Sequence, residues 1–394
     1  MRGIVPTVLL VSQTVSLPAR RRTWQQALAL TRAGWEVRVL CPRGEGQGKR
    51  ETIDGVHICR FAQPFEGSSK TGLLVEYLIA LTYLVAHLIA ARLRGRIDVV
   101  QVANPPDWVV IPALLLRPFG TRIVFDMADF STYLFEAKFG RRSALMPVVI
   151  WLNWLALRIP DLVIAANETY RRIAAVKGRR CLGTTLAIYS YADHLLPIGS
   201  RACGPLRIGY FGVLGSQDGV DSLIEAASRL RSAEFELIIV GDGPASPSLR
   251  KFARKAGLSN IRFTGFLSGE AREAAIASFD IAVIADPVNR YTHSISMNKV
   301  FAYAAHGLAV VSTPLRETKR LLPCALFTRN GDPAALSECL EQLLLNEPLR
   351  KGLGEAARAR AEGAFDWCTE AARYVGAMNA LASGTPSRVP AGPA

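Results

Sequence analysis

Residues 206–219 read LRIGYFGVLGSQDG, and this stretch decides the fold class. Leu206–Phe211 is apolar enough for a strand that is buried on both faces, which is typical of parallel sheets. The three glycines that follow predict a strand-to-helix turn in which the backbone can approach a ligand closely. A helix is predicted next, over Asp221–Arg231. The stretch therefore marks one strand–turn–helix unit of an α/β protein.

The same alternation of strand and helix continues downstream and also fills the chain upstream. Strands separated by helices predict a parallel sheet covered on both faces. Downstream we predict strands at Phe235–Val240, Ile261–Thr264, Ile281–Ala285 and Ala309–Ser312, with helices at Ser248–Ala256, Glu270–Ser278, Val300–Ala305 and Pro333–Leu345. Upstream we predict strands at Thr7–Ser12, Glu36–Cys41, Val56–Phe61, Asp98–Ala103, Arg122–Asp126 and Leu162–Ala166, with helices at Thr23–Ala33, Gly72–Arg92, Ala144–Leu157 and from Asn167 onward.

The predicted fold class is α/β, with two Rossmann-like doubly wound parallel-sheet domains that face each other across a cleft at the carboxyl ends of the strands. The break falls in a Pro-, Gly- and Ser-containing linker at residues 193–204. We therefore place the domains at residues 1–200 and 201–363. A helix over residues 364–382 and a disordered tail over residues 383–394 follow.

Composition limits the classes of function. Half of the 394 residues are hydrophobic and 20% are charged, which excludes a disordered chain. The 47 Lys and Arg against 33 Asp and Glu give a net charge of +14, which suits an anionic partner such as a nucleoside diphosphate or a membrane surface. No basic module with interleaved aromatic residues accompanies the charge, so we expect no nucleic-acid partner.

Cysteine and histidine spacing predicts neither disulfides nor a metal site. The seven cysteines form no C-x-x-C pair, and the five histidines show no H-E-x-x-H or H-x-H spacing. We therefore expect no metal and no cofactor, and a reducing, cytoplasmic location.

Two apolar segments resemble membrane signals. Ile4–Val11 has the length of a signal-peptide core, but the helix pattern after it favours a buried first strand. Gly72–Leu93 is nearly long enough to span a bilayer, but Glu76 and His87 interrupt it. We predict a helix packed on a sheet there, and no integral membrane segment.

Three strand-end loops of the second half are candidates for phosphate binding. Besides the glycine turn, Val240–Pro244 carries two glycines, and Ser296–Lys299 precedes a helix that Ser296 or Asn298 can cap. The free N–H groups of that helix could hold a diphosphate, and Lys299 adds a full charge. Such loops would stabilise a leaving nucleoside diphosphate without a metal. The candidate residues for binding the substrate that carries this nucleoside diphosphate (donor-binding residues) are Gly212, Gly215, Gly241, Asp242, Gly243, Ser296, Asn298 and Lys299.

In the first half, Arg20, Arg21 and Arg22 lie at the start of the first predicted helix, where cations oppose the helix dipole. Two interpretations stay open: they bind a phosphate or a lipid headgroup, or they are solvated surface residues. The glycine fingerprint of dinucleotide sites is missing after the first strand, which excludes an NAD or FAD site there.

As a set, the motifs resemble glycosyltransferases of the GT-B fold, specifically the large retaining family 4 (glycosyl transferases group 1). The segments that carry the resemblance are Gly209–Gly219, Gly241–Gly243, Phe263–Phe266, Ser296–Val300 and His306–Val311 in the second half, and Gly34–Arg43, Phe125–Asp129, Glu136–Gly140 and Phe365–Trp367 outside it. The resemblance implies an acceptor-side first domain, a nucleotide-sugar-binding second domain and a last helix that crosses back to the first domain.

The chain departs from the family pattern at several positions. Ala128 stands where the family has a His, Ala302 where it has the second Glu of its E-x7-E motif, and the cations of the first glycine loop are missing. Each lost charge-assisted hydrogen bond costs about 1.5–3 kcal/mol. Candidate substitutes are Arg22 and Lys138 at a phosphate or acceptor rim, with Lys299, Arg290 and His293. The remaining polar groups on the acceptor side, our candidate catalytic residues, are Asp126, Asp129 and Glu136.

Residues 144–157 are apolar nearly all round, with Trp151 and Trp154 among them. One interpretation is a helix buried between the sheet and its neighbours. The other is a helix that also contacts a membrane surface, assisted by Arg141 and Arg142. Both stay open.

The first hypothesis for function is a metal-independent retaining glycosyltransferase that moves a sugar from a nucleoside diphosphate to a glycan, lipid-linked or small-molecule acceptor. The nucleotide sugar is a substrate, and the location is cytoplasmic, with or without peripheral membrane contact. The alternative hypothesis is a glycosyltransferase-like protein that has lost catalysis and serves as a partner or scaffold, which Ala128 and Ala302 favour.

Overall fold

The structure, a computed structural model, describes residues 5–44, 46–62, 70–180, 182–191, 204–231 and 234–384, with the backbone alone for 70–78 and 182. The chain divides into two compact units: Met1–Ser190 with Cys368–Ala394, and Tyr191–Trp367. The predicted linker at 193–204, apart from Gly204, and the predicted tail from residue 385 lie outside the described residues.

The first unit contains an eight-stranded sheet in the order β3-β4-β2-β1-β5-β6-β7-β8, in which only β3 runs antiparallel to its neighbour. Its strands are β1 (Thr7–Ser12), β2 (Glu36–Pro42), β3 (Arg50–Ile53), β4 (Val56–Phe61), β5 (Val99–Ala103), β6 (Arg122–Met127), β7 (Leu162–Ala165) and β8 (Thr185–Ala187). Every residue of β1, β5, β7 and β8 is buried. Such strands need helices on both faces, which explains their continuous apolar sequence.

The helices of the first unit follow the strands in alternation. They are α1 (Arg21–Arg32), α2 (Lys70–Leu93), α3 (Val110–Ala113) between two 3₁₀ turns at Asp107–Val109 and Leu114–Phe119, α4 (Ser131–Phe139), α5 (Met146–Ala156) and α6 (Glu168–Gly178). Asn167, where the sequence predicts that a helix begins, caps α6 by accepting a hydrogen bond from the amide of Tyr170.

The second unit contains a fully parallel six-stranded sheet in the order β11-β10-β9-β12-β13-β14. Its strands are β9 (Leu206–Phe211), β10 (Phe235–Val240), β11 (Ile261–Gly265), β12 (Ile281–Ile284), β13 (Ala309–Ser312) and β14 (Leu326–Phe327). Its helices are α7 (Val220–Ser228), α8 (Ser246–Lys255), α9 (Gly269–Ala277), α10 (Asn298–Ala305), α11 (Arg316–Leu321), α12 (Pro333–Leu345) and α13 (Glu347–Ala364).

The last helix, α14 (Trp367–Ser383), belongs to the first unit from Cys368 onward. Hydrogen bonds between described residues fasten it there. The hydroxyl of Tyr374 donates to Gln101 Oε1 at 2.7 Å, Trp35 Nε1 donates to Asn379 Oδ1 at 2.8 Å, and Glu370 accepts from the amide of Tyr189 at 2.8 Å. Because Tyr374 and Gln101 are fully buried, this contact lies in the interior of the unit.

Both units have the Rossmann-like parallel sheet that the sequence predicts, so the predicted fold class is confirmed within each. Among the described helices, none combines the length and the apolar character needed to cross a membrane. The interpretation of residues 144–157 as a helix buried between the sheet and its neighbours is wrong, since Trp151 and Trp154 are about half exposed on α5.

Candidate functional site

The strand order of the second unit reverses beside β9. The connections from β9 lead to β10 and β11 on one side, whereas β12 and β13 lie on the other. In such sheets the crevice at the carboxyl ends of the strands where the order reverses is the usual ligand site. The loops after β9, β10 and β12, and the start of α10, therefore define the candidate site of this unit.

The two glycine-rich loops pack directly on each other. The amide of Gly212 donates to Val240 O, and the amide of Leu214 donates to Asp242 O, both at 3.1 Å. A Cβ atom on Gly241 would lie 1.8 Å from the carbonyl oxygen of Gly212, and Gly241 has a φ of +139°. Only glycine fits such a contact. The glycines at these positions are thus required for the packing of the loops.

This packing corrects the expectation that the glycine amides face a phosphate. The amide of Gly241 donates to Gly265 O at 3.0 Å, that of Gly215 to Asp218 Oδ2 at 2.9 Å, and that of Gly243 to Ser246 Oγ at 3.0 Å. With Gly212 bound to Val240, all four predicted amides have partners inside the protein.

Asp242 stays at the surface of the candidate site. Its carboxylate accepts hydrogen bonds from the Ser246 hydroxyl and from the amide of Gly243, and these bonds lower the pKa of Asp242. The residue is exposed. An ionised carboxylate repels phosphate but accepts hydrogen bonds from sugar hydroxyl groups, so Asp242 suits contact with a sugar rather than with a phosphate.

The N-terminus of α10 lies after the β12 loop, and no side chain caps it. The N-cap residue is Met297, so the prediction that Ser296 or Asn298 caps the helix is wrong. The Ser296 hydroxyl instead donates to Glu317 Oε1 at 3.1 Å. Within the described residues, the amides of Asn298 and Lys299 show no hydrogen-bond acceptor. Asn298 is exposed, so this helix end can receive an anion.

Lys299 is not the lone cation that the sequence predicts. Its Nζ lies 2.7 Å from Oδ2 of Asp286 and donates to the hydroxyl of Tyr210 at 3.3 Å. Both charged side chains are more than nine-tenths buried. Burial opposes the charge of Lys299, but the carboxylate of Asp286 outweighs it and raises the pKa of Lys299 above its usual value. The ammonium therefore stays charged and is neutralised by Asp286.

Two buried tyrosines connect this ion pair to the strand ends. The hydroxyl of Tyr210 donates to Val213 O at 3.1 Å, and burial raises the pKa of Tyr210 to about 12. The hydroxyl of Tyr303 accepts from the amide of Phe211 at 2.8 Å, and burial raises the pKa of Tyr303 as well. Both phenols therefore stay protonated at neutral pH. They tie α10 to the end of β9 and so fix where the helix begins.

Two exposed apolar side chains border the same edge of the sheet. Phe266, directly after β11, is 78% exposed, and Val213, two residues after the end of β9, is 62% exposed. The guanidinium of Arg272 lies 5.9 Å from the ring centre of Phe211, the last residue of β9. Phe266 belongs to one of the segments that resemble the family, but the sequence alone assigned it no role, although an aromatic residue right after a strand-end glycine was a visible signal.

In the first unit, Asp126 and Arg22 form a buried ion pair. Arg22 Nη2 lies 2.7 Å from Asp126 Oδ1, and Arg22 Nε contacts both carboxylate oxygens at 3.0 and 3.1 Å. Arg22 Nη1 also donates to Ile188 O at 2.5 Å. Asp126 is fully buried and Arg22 is 10% exposed.

This pair corrects two predictions. Asp126 is engaged by Arg22 in the interior, so it is not a catalytic carboxylate facing a substrate. Arg22 is likewise saturated, so it is not a free cation at a phosphate or acceptor rim. The unfavourable cluster of arginines at the start of α1 is compensated by a carboxylate from β6, a contact across 104 positions that spacing does not reveal.

Asn104, at the end of β5, organises the loop after β6. Its Oδ1 accepts from the amides of Ala128 at 2.7 Å and Asp129 at 3.2 Å, while its Nδ2 donates to Asp107 Oδ1 at 2.8 Å. Asp107 also accepts from the hydroxyl of Ser131 at 2.6 Å. Burial raises the pKa of Asp107. The sequence Asn104-Pro-Pro-Asp107 indicates only a turn, so this network could not be predicted from it.

The remaining acceptor-side candidates lie on or beside α4. Asp129 precedes the helix and is half-buried, Glu136 is half-buried on it, and Lys138 is exposed near its end. Asp129 is held through its amide by Asn104, so its backbone position is fixed. Among the described residues no cluster of three His, Cys, Asp or Glu side chains could hold a metal, and metal independence stays a prediction.

Two family models match the chain. Residues 205–346 match the model described as glycosyl transferases group 1, and residues 19–182 match the glycosyl transferase 4-like domain. Together they cover well over half of the sequence. The chain belongs to the group 1 glycosyltransferases. The family that the sequence motifs resemble is thereby confirmed, with both of its glycosyltransferase domains.

Solved structures of glycosyltransferases share the fold of this group 1 member. A sucrose-phosphate synthase from Thermosynechococcus elongatus has a TM-score of 0.78 at 15% identity, over 96% of this chain and 100% of the other. HepE from Anabaena, solved in complex with UDP-glucose, has a TM-score of 0.70 at 16% identity, over 95% of this chain and 99% of the other. At these identities the similarity shows the fold.

Curated relatives match over shorter stretches. Alpha-D-kanosaminyltransferase from Streptomyces kanamyceticus is 36% identical over 78 residues, which is 19% of this chain and 20% of that protein. The chain matches the curated relatives over less than half of their lengths.

Proposed function

We propose that the second unit binds a nucleoside-diphosphate sugar and that the chain transfers its sugar to an acceptor held by the first unit. In this proposal no metal ion takes part and the anomeric configuration is retained. Catalysis rests on holding the two reactants in line and on stabilising the departing diphosphate, rather than on a covalent intermediate.

The observation that carries the proposal is the uncapped start of α10. Two amides, of Asn298 and Lys299, point out of an eight-residue helix at the strand-order reversal of a parallel sheet. The positive end of the helix dipole, equivalent to about half a charge, favours an anion there. Because Asp286 balances the charge of Lys299, the amides and the dipole supply the attraction for the diphosphate.

The nucleoside would extend from α10 across the strand ends. Strands lie about 4.8 Å apart, so the three steps from β12 through β9 and β10 to β11 match the length of a nucleotide. Phe266 lies after β11 with its ring in solvent, and an aromatic ring stacks on any base. Asp242 follows β10, between the start of α10 and Phe266 along the strand ends, and its carboxylate can accept a hydrogen bond from a sugar hydroxyl group. UDP is the first probe to use, since HepE, a structure of the same fold, was solved with UDP-glucose.

On the acceptor side we assign Asp129 and Glu136 to contacts with acceptor hydroxyl groups, and Lys138 to an anionic group of the acceptor. A glycan, a lipid-linked sugar and a small secondary metabolite all present such groups. A cytoplasmic location agrees with the absence of C-x-x-C pairs in the sequence and with the cytoplasmic supply of nucleotide sugars that the proposal needs.

Titration calorimetry with UDP, GDP and dTDP tests the donor proposal. We expect at least one of the three to bind, and the same nucleotide to raise the melting temperature by mass action. Hydrolysis or transfer of the corresponding nucleotide sugar is expected in the presence of a chelator. Binding of none of the three would overturn the donor assignment, and activity that EDTA abolishes would overturn metal independence.

A further inference from the structure

Helix α5 of the first unit turns its apolar side chains outward. Its sequence, MPVVIWLNWLA, contains one polar side chain, Asn153, which is 3% exposed. Asn153 Nδ2 donates to Asp107 Oδ2 at 2.8 Å in the interior. Ile150, Trp151 and Trp154, by contrast, are 53%, 55% and 48% exposed. A helix on the surface of a protein in water normally has the opposite orientation.

Exposed apolar side chains are also present on the elements next to α5. Helix α5 contacts α3, and α3 in turn contacts α2. Single exposed apolar residues are ordinary, but a group of them on adjoining elements indicates an interaction surface. We call this group the apolar face; its exposed members are Ile89, Leu93, Ile111, Leu115, Phe119, Val148, Ile150, Trp151 and Trp154.

Arginines border the apolar face. Arg141 and Arg142, both exposed, line a shallow groove of about 650 Å³ together with Trp151 and Trp154. The guanidinium of Arg158 lies 4.4 Å from the ring centre of Trp154, beside that groove. No carboxylate is among the residues that line the groove. The surface thus offers apolar and aromatic side chains with positive charge at their edge.

We propose that the apolar face docks on the surface of a bilayer that contains anionic phospholipid. Tryptophan has an apolar body and one polar N–H group, which suits the depth of the headgroups, while arginines at the rim contact lipid phosphates. A symmetric dimer through this face is disfavoured, because it would bring Arg141 and Arg142 of both copies together without a carboxylate to pair them. The docking goes beyond the proposed function and does not depend on it.

Co-sedimentation with vesicles tests the proposal on the full-length protein. Phosphatidylcholine vesicles are compared with vesicles of phosphatidylcholine mixed with phosphatidylglycerol. We expect clear binding to the anionic vesicles that weakens with added salt. The double variant W151S/W154S should bind at least about tenfold more weakly, because it removes the aromatic area that enters the bilayer. The variant R141Q/R142Q should lose about fivefold for each arginine on anionic vesicles and little on phosphatidylcholine.

The control is L345S, which removes an even more exposed apolar side chain from α12 of the second unit (Leu345 is 74% exposed). It should bind vesicles like the wild type. If W151S/W154S does not fold, R141Q/R142Q still decides the proposal, because both arginines are exposed. Absence of wild-type binding to anionic vesicles overturns the proposal. So does equal loss in L345S, or self-association that W151S/W154S abolishes without any vesicle binding.

Discussion

The Nζ atom of Lys299 lies 2.7 Å from Oδ2 of Asp286, and both side chains are buried beneath the loops of the second sheet. The pair joins the first turn of α10 to the residue two positions after β12. It places a full charge at the strand ends and neutralises it there. The pair therefore positions the start of α10, whereas the amides of Asn298 and Lys299, for which no acceptor is present among the described residues, remain for a ligand.

Replacing Lys299 by Met should destabilise the second unit strongly. The change leaves the carboxylate of Asp286 buried without a partner, which costs about 3–5 kcal/mol of unfolding free energy. The double variant K299M/D286N should recover most of that loss, because it removes both charges. Urea unfolding measures both variants. An unchanged stability of K299M would show that the ion pair does not form.

Asp126 and Arg22 allow a parallel test in the first unit. D126N should lower the unfolding free energy by about 3 kcal/mol, because Arg22 then keeps its charge in the interior without a carboxylate. E136Q is the control for a half-buried carboxylate on the same side of the unit, and we expect a loss of stability below about 1 kcal/mol. Under the proposed function E136Q lowers the transfer rate instead. Equal stability of the two variants would contradict the structural role of Asp126.

Ala302 lies one residue before the buried Tyr303 on α10 and is half-buried. If the site is fully active without a Glu at position 302, A302E should change the transfer rate by less than about tenfold. A gain of ten- to hundredfold, the effect of one charge-assisted hydrogen bond, would instead indicate an eroded site that still fits the family residue. Steady-state rates with the nucleotide sugar identified by calorimetry distinguish the two.

Phe266 is proposed to stack on the base of the donor. F266A should weaken binding of the nucleoside diphosphate by about 1–3 kcal/mol, whereas F266Y, which keeps the ring, should bind within a few-fold of the wild type. Because the side chain is 78% exposed, neither variant should change the melting temperature appreciably. Equal affinities of F266A and the wild type for UDP would remove Phe266 from the base site.

The contact between Glu273 and His306 predicts that the free energy of unfolding depends on pH in the acidic range. His306 Nε2 lies 2.9 Å from Glu273 Oε2, and this hydrogen bond together with Arg272 lowers the pKa of Glu273 to about 2. The carboxylate therefore stabilises the folded state above the unfolded pKa near 4.5, and the contribution is lost as pH falls toward 2. We expect the free energy of unfolding to fall by up to about 2 kcal/mol between these two pH values. E273Q should flatten this part of the unfolding free energy against pH; an unchanged slope would contradict the assignment.

The sequence predicts the buried elements of the fold well. β1, β4, β9, β10, β13 and α12 have the predicted bounds, because continuous apolar runs between turn residues define buried strands clearly. The strand β3 was missed, because Arg50–Ile53 is a short, largely exposed edge strand without an apolar face. Helix α4 was missed as well; its sequence shows no helical periodicity of apolar residues.

The candidate site was predicted less completely. The segments were found, because glycines after buried strands mark turns at the sheet edge. Whether the amides and charged side chains of these segments are already paired was not predicted, since pairing depends on partners far away in sequence. Arg22 is 104 positions from Asp126, and Gly212 donates to the end of a different strand. Spacing identifies which residues reach an edge, but only packing decides whether an amide or a charge there is free.

A crystal structure of the protein with UDP, or with the diphosphate that calorimetry selects, tests the donor site most directly. We expect phosphate oxygens about 3 Å from the amides of Asn298 and Lys299, with the base beside Phe266. A diphosphate bound elsewhere in the chain, with the start of α10 occupied by water alone, would contradict the proposed site.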